Sequence, residues 1–130
     1  MQERPVYLDL TKISLPLSAF LSITHRLSGM YVFFITLPLF LVIISSLKYE
    51  WRFNALIENL TIVSFFSVSV FMSLLIFWYH ILTGIRHLIM DLFHVGESLK
   101  GAHYSSIIVI SIWVLTSIGY LGYLLSLIHF

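Results

Sequence analysis

The stretch His80-Ile-Leu-Thr-Gly-Ile-Arg-His-Leu-Ile-Met-Asp91 gathers two imidazoles, a guanidinium and a carboxylate. His80, Gly84, His87 and Asp91 follow at intervals of four, three and four, which on a helix is a single stripe. Neutral imidazole suits axial haem ligation, and a nearby glycine removes the Cβ that would obstruct a flat macrocycle or a neighbouring helix. The same spacing also describes a buried histidine hydrogen-bonded to another helix, with Gly84 as small-residue packing. His80 and His87 stand two turns apart, about 10 Å along a helix axis, so they cannot be opposed ligands of one iron. If His80 binds haem, its counterpart comes from another helix, and most simply from another chain.

A second stripe lies upstream. In Ser22-Ile-Thr-His-Arg-Leu-Ser-Gly29, the residues Ser22, His25, Arg26 and Gly29 sit at i, i+3, i+4 and i+7. That face carries a hydroxyl, an imidazole, a guanidinium and bare backbone. An arginine at bilayer depth costs about 2.5–3.5 kcal/mol on insertion scales and normally faces a partner or a cavity. Arg26 can equally be an orientation anchor that snorkels to the headgroups. His25, Arg86 and His87 are candidates for the propionates of a haem or for a quinone pocket.

These stripes need elements to hold them, and the composition says which. The 130 residues are 59% hydrophobic and only 10% charged, with a mean hydropathy of +0.99. A soluble domain carries about 25% charged residues, so a soluble globular chain and a disordered one are both excluded. A net charge of +1 leaves no footprint for nucleic acid. There is no cysteine, which removes disulfides, thiolate zinc and iron–sulfur ligation by this chain.

Leu27–Leu47, Asn59–Ile85 and Ala102–Phe130 contain no Asp, Glu, Lys or Arg. Each exceeds the ~20 residues a helix needs to cross the hydrocarbon core, and none alternates as a barrel strand would. The fold class is therefore all-α: a membrane bundle of three helices over about 27–47, 60–85 and 104–128, forming one domain with residues 1–26. Ser14 is the expected N-cap of the first helix, with Pro16 near its first turn. Met1–Arg26 lacks a basic region followed by an apolar one, so it does not read as a cleaved signal. Lys48–Asn54 mixes charge with Tyr and Trp and is expected to be an interfacial loop. Arg86–Lys100 forms the second loop, with Gly96 and Gly101 as helix-end punctuation.

Arg4, Lys12, Arg26, Arg86 and Lys100 fall on one side, against Lys48 and Arg52 on the other. This balance predicts the N-terminus inside and the C-terminus outside, and it puts both stripes on the same membrane side. Gly119, Gly122 and Ser126 form a small-residue strip suited to helix contact. His94, His103 and His129 read as interfacial. No Ser–His–Asp set, phosphate loop or paired carboxylates point to chemistry by this chain alone.

With these residues in place, the chain resembles the cytochrome b556 membrane-anchor family of succinate dehydrogenase, respiratory complex II. Arg4-Pro-Val-Tyr-Leu-Asp-Leu10 is similar to the family's N-terminal Arg-Pro segment. Ser22–Gly29 matches its Ser-x-x-His-Arg-x-[Ser/Thr]-Gly signature. His80–Asp91 matches His-x-x-x-Gly-x-Arg-His-[Leu/Met]-x-x-Asp.

The resemblance implies that His80 is an axial ligand of haem b, the other coming from a second membrane-anchor chain. It implies that Ser22 and Arg26 line a ubiquinone site, and that His25 and Arg26 approach a haem propionate. For His87 and Asp91 it implies supporting or interface roles. The implied partners are that second membrane anchor, the iron–sulfur protein and the flavoprotein of succinate dehydrogenase. The implied setting is a bacterial inner membrane or, for an organelle-encoded chain, the mitochondrial one. A fumarate reductase anchor using menaquinone and a structural anchor without haem are the competing expectations.

Overall fold

The computed structural model describes residues 15–94 and 98–128. The Arg4–Leu10 segment, Ser14, Gly96, Glu97 and His129 lie outside them.

Among the described residues every element is helical. Helix α1 spans Leu17–Ser46, α3 spans Phe65–Phe93, and α4 spans Leu99–Ile128; a shorter helix, α2, covers Glu50–Thr61. Mean hydropathies of 2.4, 1.9 and 2.0 over the best windows of α1, α3 and α4 make these the three helices that cross a membrane. Each long helix runs beyond its charge-free window. A charge-free window measures the hydrocarbon thickness, whereas a helix ends where its backbone finds a cap.

Those caps are visible. Pro16 is the N-cap of α1, extended at φ −61° and ψ 147°, and its carbonyl accepts from the amides of Ala19 and Phe20. The Ser64 hydroxyl accepts from the Ser67 amide while the Ser67 hydroxyl accepts from the Ser64 amide, a reciprocal capping box that opens α3. His94 ends α3 in the left-handed region at φ 52°. The Gly101 amide donates to Ser98 Oγ, so Gly101 lies in the first turn of α4 instead of ending a helix. Pro38 has no N–H to give the Phe34 carbonyl, and α1 takes up the defect in a π turn at Val32–Thr36 just before it.

The interior of the bundle is small and polar. Among the described residues Ser28, Ser46, Ser73, Thr83, Arg86 and Ser106 are buried, but only Leu21 and Ala102 of the hydrophobic ones are. Large side chains such as Phe33, Phe34 and Leu115 point outward. Lipid tails already solvate apolar side chains, so close approach of helices falls to small and hydroxyl residues. Two tryptophans then lock α3 to α4: Trp78 Nε1 donates to Thr116 Oγ1 at 2.9 Å, and Trp113 Nε1 donates to the Leu75 carbonyl at 3.1 Å.

The region expected as a Lys48–Asn54 loop is largely α2. Tyr49 is its extended N-cap, and Arg52 stacks its guanidinium 5.2 Å from the Tyr49 ring centre and 5.1 Å from that of Trp51. Trp and Tyr favour the headgroup level, so the composition of α2 at the end of α1 suits the membrane surface.

Candidate functional site

α1 and α3 run antiparallel, so the stripe at the start of α1 meets the stripe at the end of α3. Their meeting point is a pair of histidines. The rings of His25 and His80 stack with centroids 4.3 Å apart and planes 2° from parallel. His87 tilts at 50° with its centroid 5.2 Å from that of His25. The bare backbone of two glycines makes the approach feasible: a Cβ on Gly29 would lie 3.1 Å from His80 Cε1, and one on Gly84 would lie 3.2 Å from His25 Cε1.

Hydroxyl groups on the opposite helix fix both rings. Ser28 Oγ donates its single proton to the His25 carbonyl at 2.7 Å and lies 2.9 Å from His80 Nδ1. With its proton committed, this oxygen accepts, so the Nδ1 of His80 carries the hydrogen. Thr83 Oγ1 donates to the Tyr79 carbonyl at 2.8 Å and lies 2.8 Å from His25 Nδ1, which by the same reasoning is protonated. In its neutral form each histidine then has the tautomer whose Nε2 bears a lone pair. Neither Nε2 has a hydrogen-bond partner among the described residues.

That arrangement fits an axial haem ligand. A metal-bound imidazole almost always donates its other N–H to an oxygen that fixes tautomer and ring orientation, and Ser28 does this for His80. Because their rings are stacked face to face, His25 and His80 cannot oppose each other across one iron. No group of three or more His, Cys, Asp or Glu suited to a metal ion occurs among the described residues.

Ser22 is half-buried and Arg26 is exposed on the same end of α1, and neither has a hydrogen-bond partner among the described residues. The structure thus brings His25, His80 and His87 together, while leaving Ser22 and Arg26 with open donors beside them.

Arg86 departs from the expectation that it faces a cofactor. It is 5% exposed and turns to α4, donating from Nε to Ser105 Oγ at 3.0 Å and from Nη2 to the Ala102 carbonyl at 3.0 Å. Ser105 and Ser106 hydroxyls donate to the same carbonyl. The reason is angular: Arg86 is two residues past Gly84, about 200° around the helix at 3.6 residues per turn, so it leaves the histidine face.

Sequence reasoning missed Ser28 and Thr83, although a signal was present. His25-Arg-Leu-Ser-Gly29 and His80-Ile-Leu-Thr-Gly84 share one pattern, His-x-x-[Ser/Thr]-Gly. Placed on antiparallel helices, the two copies cross, and each hydroxyl serves the histidine of the other.

Fold and site together define an integral-membrane helical protein with a half-buried imidazole pair between two of its helices. Residues 1–120 match the family described as succinate dehydrogenase/fumarate reductase transmembrane subunit, and the chain belongs to that family. It is 40% identical over 95 residues to the succinate dehydrogenase cytochrome b556 subunit of Coxiella burnetii (strain RSA 493 / Nine Mile phase I), covering 69% of this chain and 72% of that protein. It is 35% identical over 94 residues to the succinate dehydrogenase cytochrome b560 subunit of Reclinomonas americana, covering 68% of this chain and 64% of that one.

Proposed function

We propose that this chain binds haem b and ubiquinone as a membrane anchor of succinate dehydrogenase, with His80 as its axial ligand. The observation that carries the proposal is the Ser28–His80 bond, which engages Nδ1 and leaves Nε2 without a hydrogen-bond partner among the described residues. A further ligand to that haem would come from a second membrane-anchor chain. The family membership and the cytochrome b names of the relatives support the haem reading.

Bound between the two anchors, haem b supplies a one-electron centre whose potential the protein tunes through ligand, hydrogen bonding and burial. This chain's own residues have simpler tasks. Ser28 holds the His80 imidazole in one tautomer and one orientation. Gly29 leaves room for the ring.

Ser22 and Arg26 bind the quinone headgroup. A quinone needs an apolar pocket with a few placed donors, and these two side chains supply a hydroxyl and a guanidinium. Ubiquinone takes up two electrons and two protons to become ubiquinol. Negative charge gathers on its carbonyl oxygen as electrons arrive, and a fixed guanidinium stabilises that charge at low local dielectric. His25, beside Arg26 in sequence and held by Thr83, would suit a haem propionate when Nε2 is protonated. His87 and Asp91 extend that polar end.

The electrons come from succinate through a flavoprotein and an iron–sulfur protein docked on the N-terminal side, which the Lys and Arg balance orients inward. The membrane is a bacterial inner membrane or a mitochondrial inner membrane.

The test is a reduced-minus-oxidised spectrum of the complex purified through this chain, with the companion chains identified. A b-type band that shifts or disappears in His80→Leu is the expected result. A complex with no such band would leave only the anchoring role.

A further inference from the structure

At the membrane surface opposite the histidine cluster, α2 lies against the end of α1 and the start of α3, leaving a cavity of about 460 Å³. Arg52, Ala55, Leu56 and Asn59 line it from α2. They fall at i, i+3, i+4 and i+7, one face of that helix. Val42 and Phe66 close it from the membrane side. The cavity is therefore amphiphilic, with a cation and an amide at the lip and an apolar floor.

The charge at the lip is uncompensated. Among the described residues, Arg52 and its neighbour Lys48 touch only aromatic rings. The two carboxylates of this segment, Glu50 and Glu58, do not line the cavity. Two residues before Arg52 and six after it, they project about 160° and 240° around α2 at 3.6 residues per turn. The helix thus presents its cation to the cavity and its acids elsewhere. Asn59 spends Nδ2 on the Ala55 carbonyl at 2.7 Å. Arg52 keeps its guanidinium donors for a ligand, and planar guanidinium suits phosphate.

We propose that this cavity is a binding site for one anionic phospholipid, with its phosphate on Arg52 and an acyl chain over Leu56, Val42 and Phe66. A zwitterionic lipid brings an ammonium group beside the same guanidinium, so the site prefers a headgroup of net negative charge. This site lies at the other end of the bundle from the proposed haem and quinone residues, and its occupancy is independent of theirs.

The experiment uses the full chain purified in detergent with its companion chains. Phospholipid retained per complex is measured by native mass spectrometry. Thermal unfolding is followed on adding phosphatidylglycerol or phosphatidylcholine. Phosphatidylglycerol is expected to be retained and to raise the Tm more than phosphatidylcholine.

Arg52→Gln is expected to weaken phosphatidylglycerol binding about fivefold, the effect of one basic residue near an anionic lipid surface. Ala55→Trp fills the cavity and abolishes retention with Arg52 intact; Ala55→Leu serves if the tryptophan variant does not accumulate. Glu58→Gln is expected to change nothing. Equal responses to the two lipids, phosphatidylglycerol retention unaltered in Arg52→Gln and the Ala55 variant, or retention of an isoprenoid quinone in place of the phospholipid would each overturn the proposal.

Discussion

The imidazoles of His25 and His80 lie face to face, 4.3 Å apart and 2° from parallel, each held through Nδ1 by a hydroxyl of the other's helix. The pairing is reciprocal because α1 and α3 are antiparallel and carry the same His-x-x-[Ser/Thr]-Gly pattern. Histidine and hydroxyl are three residues apart on each helix, so crossing the two copies satisfies both rings at once. The result is that both rings are held through Nδ1, and neither Nε2 has a hydrogen-bond partner among the described residues.

Ser28 holds the His80 ring through Nδ1, and under the proposed function this bond supports haem ligation. Ser28→Ala is expected to leave the complex assembled but to lower haem affinity by about 10–100-fold, the usual effect of losing such a supporting hydrogen bond. Haem per complex and the position of the b-type band measure this, and Ser28→Thr should restore both. Unchanged haem content and spectrum in Ser28→Ala would show that tautomer control lies elsewhere.

The two glycines predict separable effects. Gly29→Ala pushes a methyl to 3.1 Å from His80 Cε1, tighter than ordinary contact, so the ring must shift by a few tenths of an ångström. The haem spectrum should respond. Gly84→Ala presses on His25 at 3.2 Å and should leave His80, the proposed ligand, in place. Gly119→Ala is the control: a Cβ there meets nothing within 4 Å, and the spectrum should not change.

Arg86 is expected to matter for stability and not for electron transfer. Removing its side chain in Arg86→Leu leaves Ser105 and the Ala102 carbonyl without their charged donor, a loss of about 1.5–3 kcal/mol for a hydrogen bond to a charged group. Lysine should rescue poorly, since one ammonium cannot reproduce a two-point guanidinium fork. Thermal unfolding in detergent reads the loss. Quinone reduction per folded complex should match the parent, and a selective drop in that rate would return Arg86 to the redox site.

Arg26 is expected to behave in the opposite way. Exposed and without a hydrogen-bond partner among the described residues, it carries little of the fold. Arg26→Leu should impair quinone reduction while succinate oxidation by an artificial dye persists. An assembled Arg26→Leu complex that reduces quinone at the parental rate would remove this residue from the site.

The extent of α2 shows where reading the sequence runs short. Lys48–Asn54 has the composition of an interfacial loop, yet its residues from Glu50 onward are helical. A Tyr/Trp/Arg mixture reports membrane depth, and depth is compatible with either backbone state. Gly101 is a similar case. Glycine near a charged segment reads as punctuation, but Ser98 caps the first turn of α4 and carries the helix through Gly101.

The membrane-spanning class and the identity of the chemical groups are legible in the residues alone. Charge-free runs longer than a bilayer leave few alternatives, because an unpaired backbone in hydrocarbon forces helices. Helical periodicity then groups His25 with Ser22 and Arg26, and His80 with Gly84 and His87. Which face meets which is settled only by packing. Periodicity defines stripes on separate cylinders and is silent about their relative rotation and depth. Close approach at Gly29 and Gly84 sets those two quantities, and with them the Ser28–His80 and Thr83–His25 bonds and the turn of Arg86 toward α4.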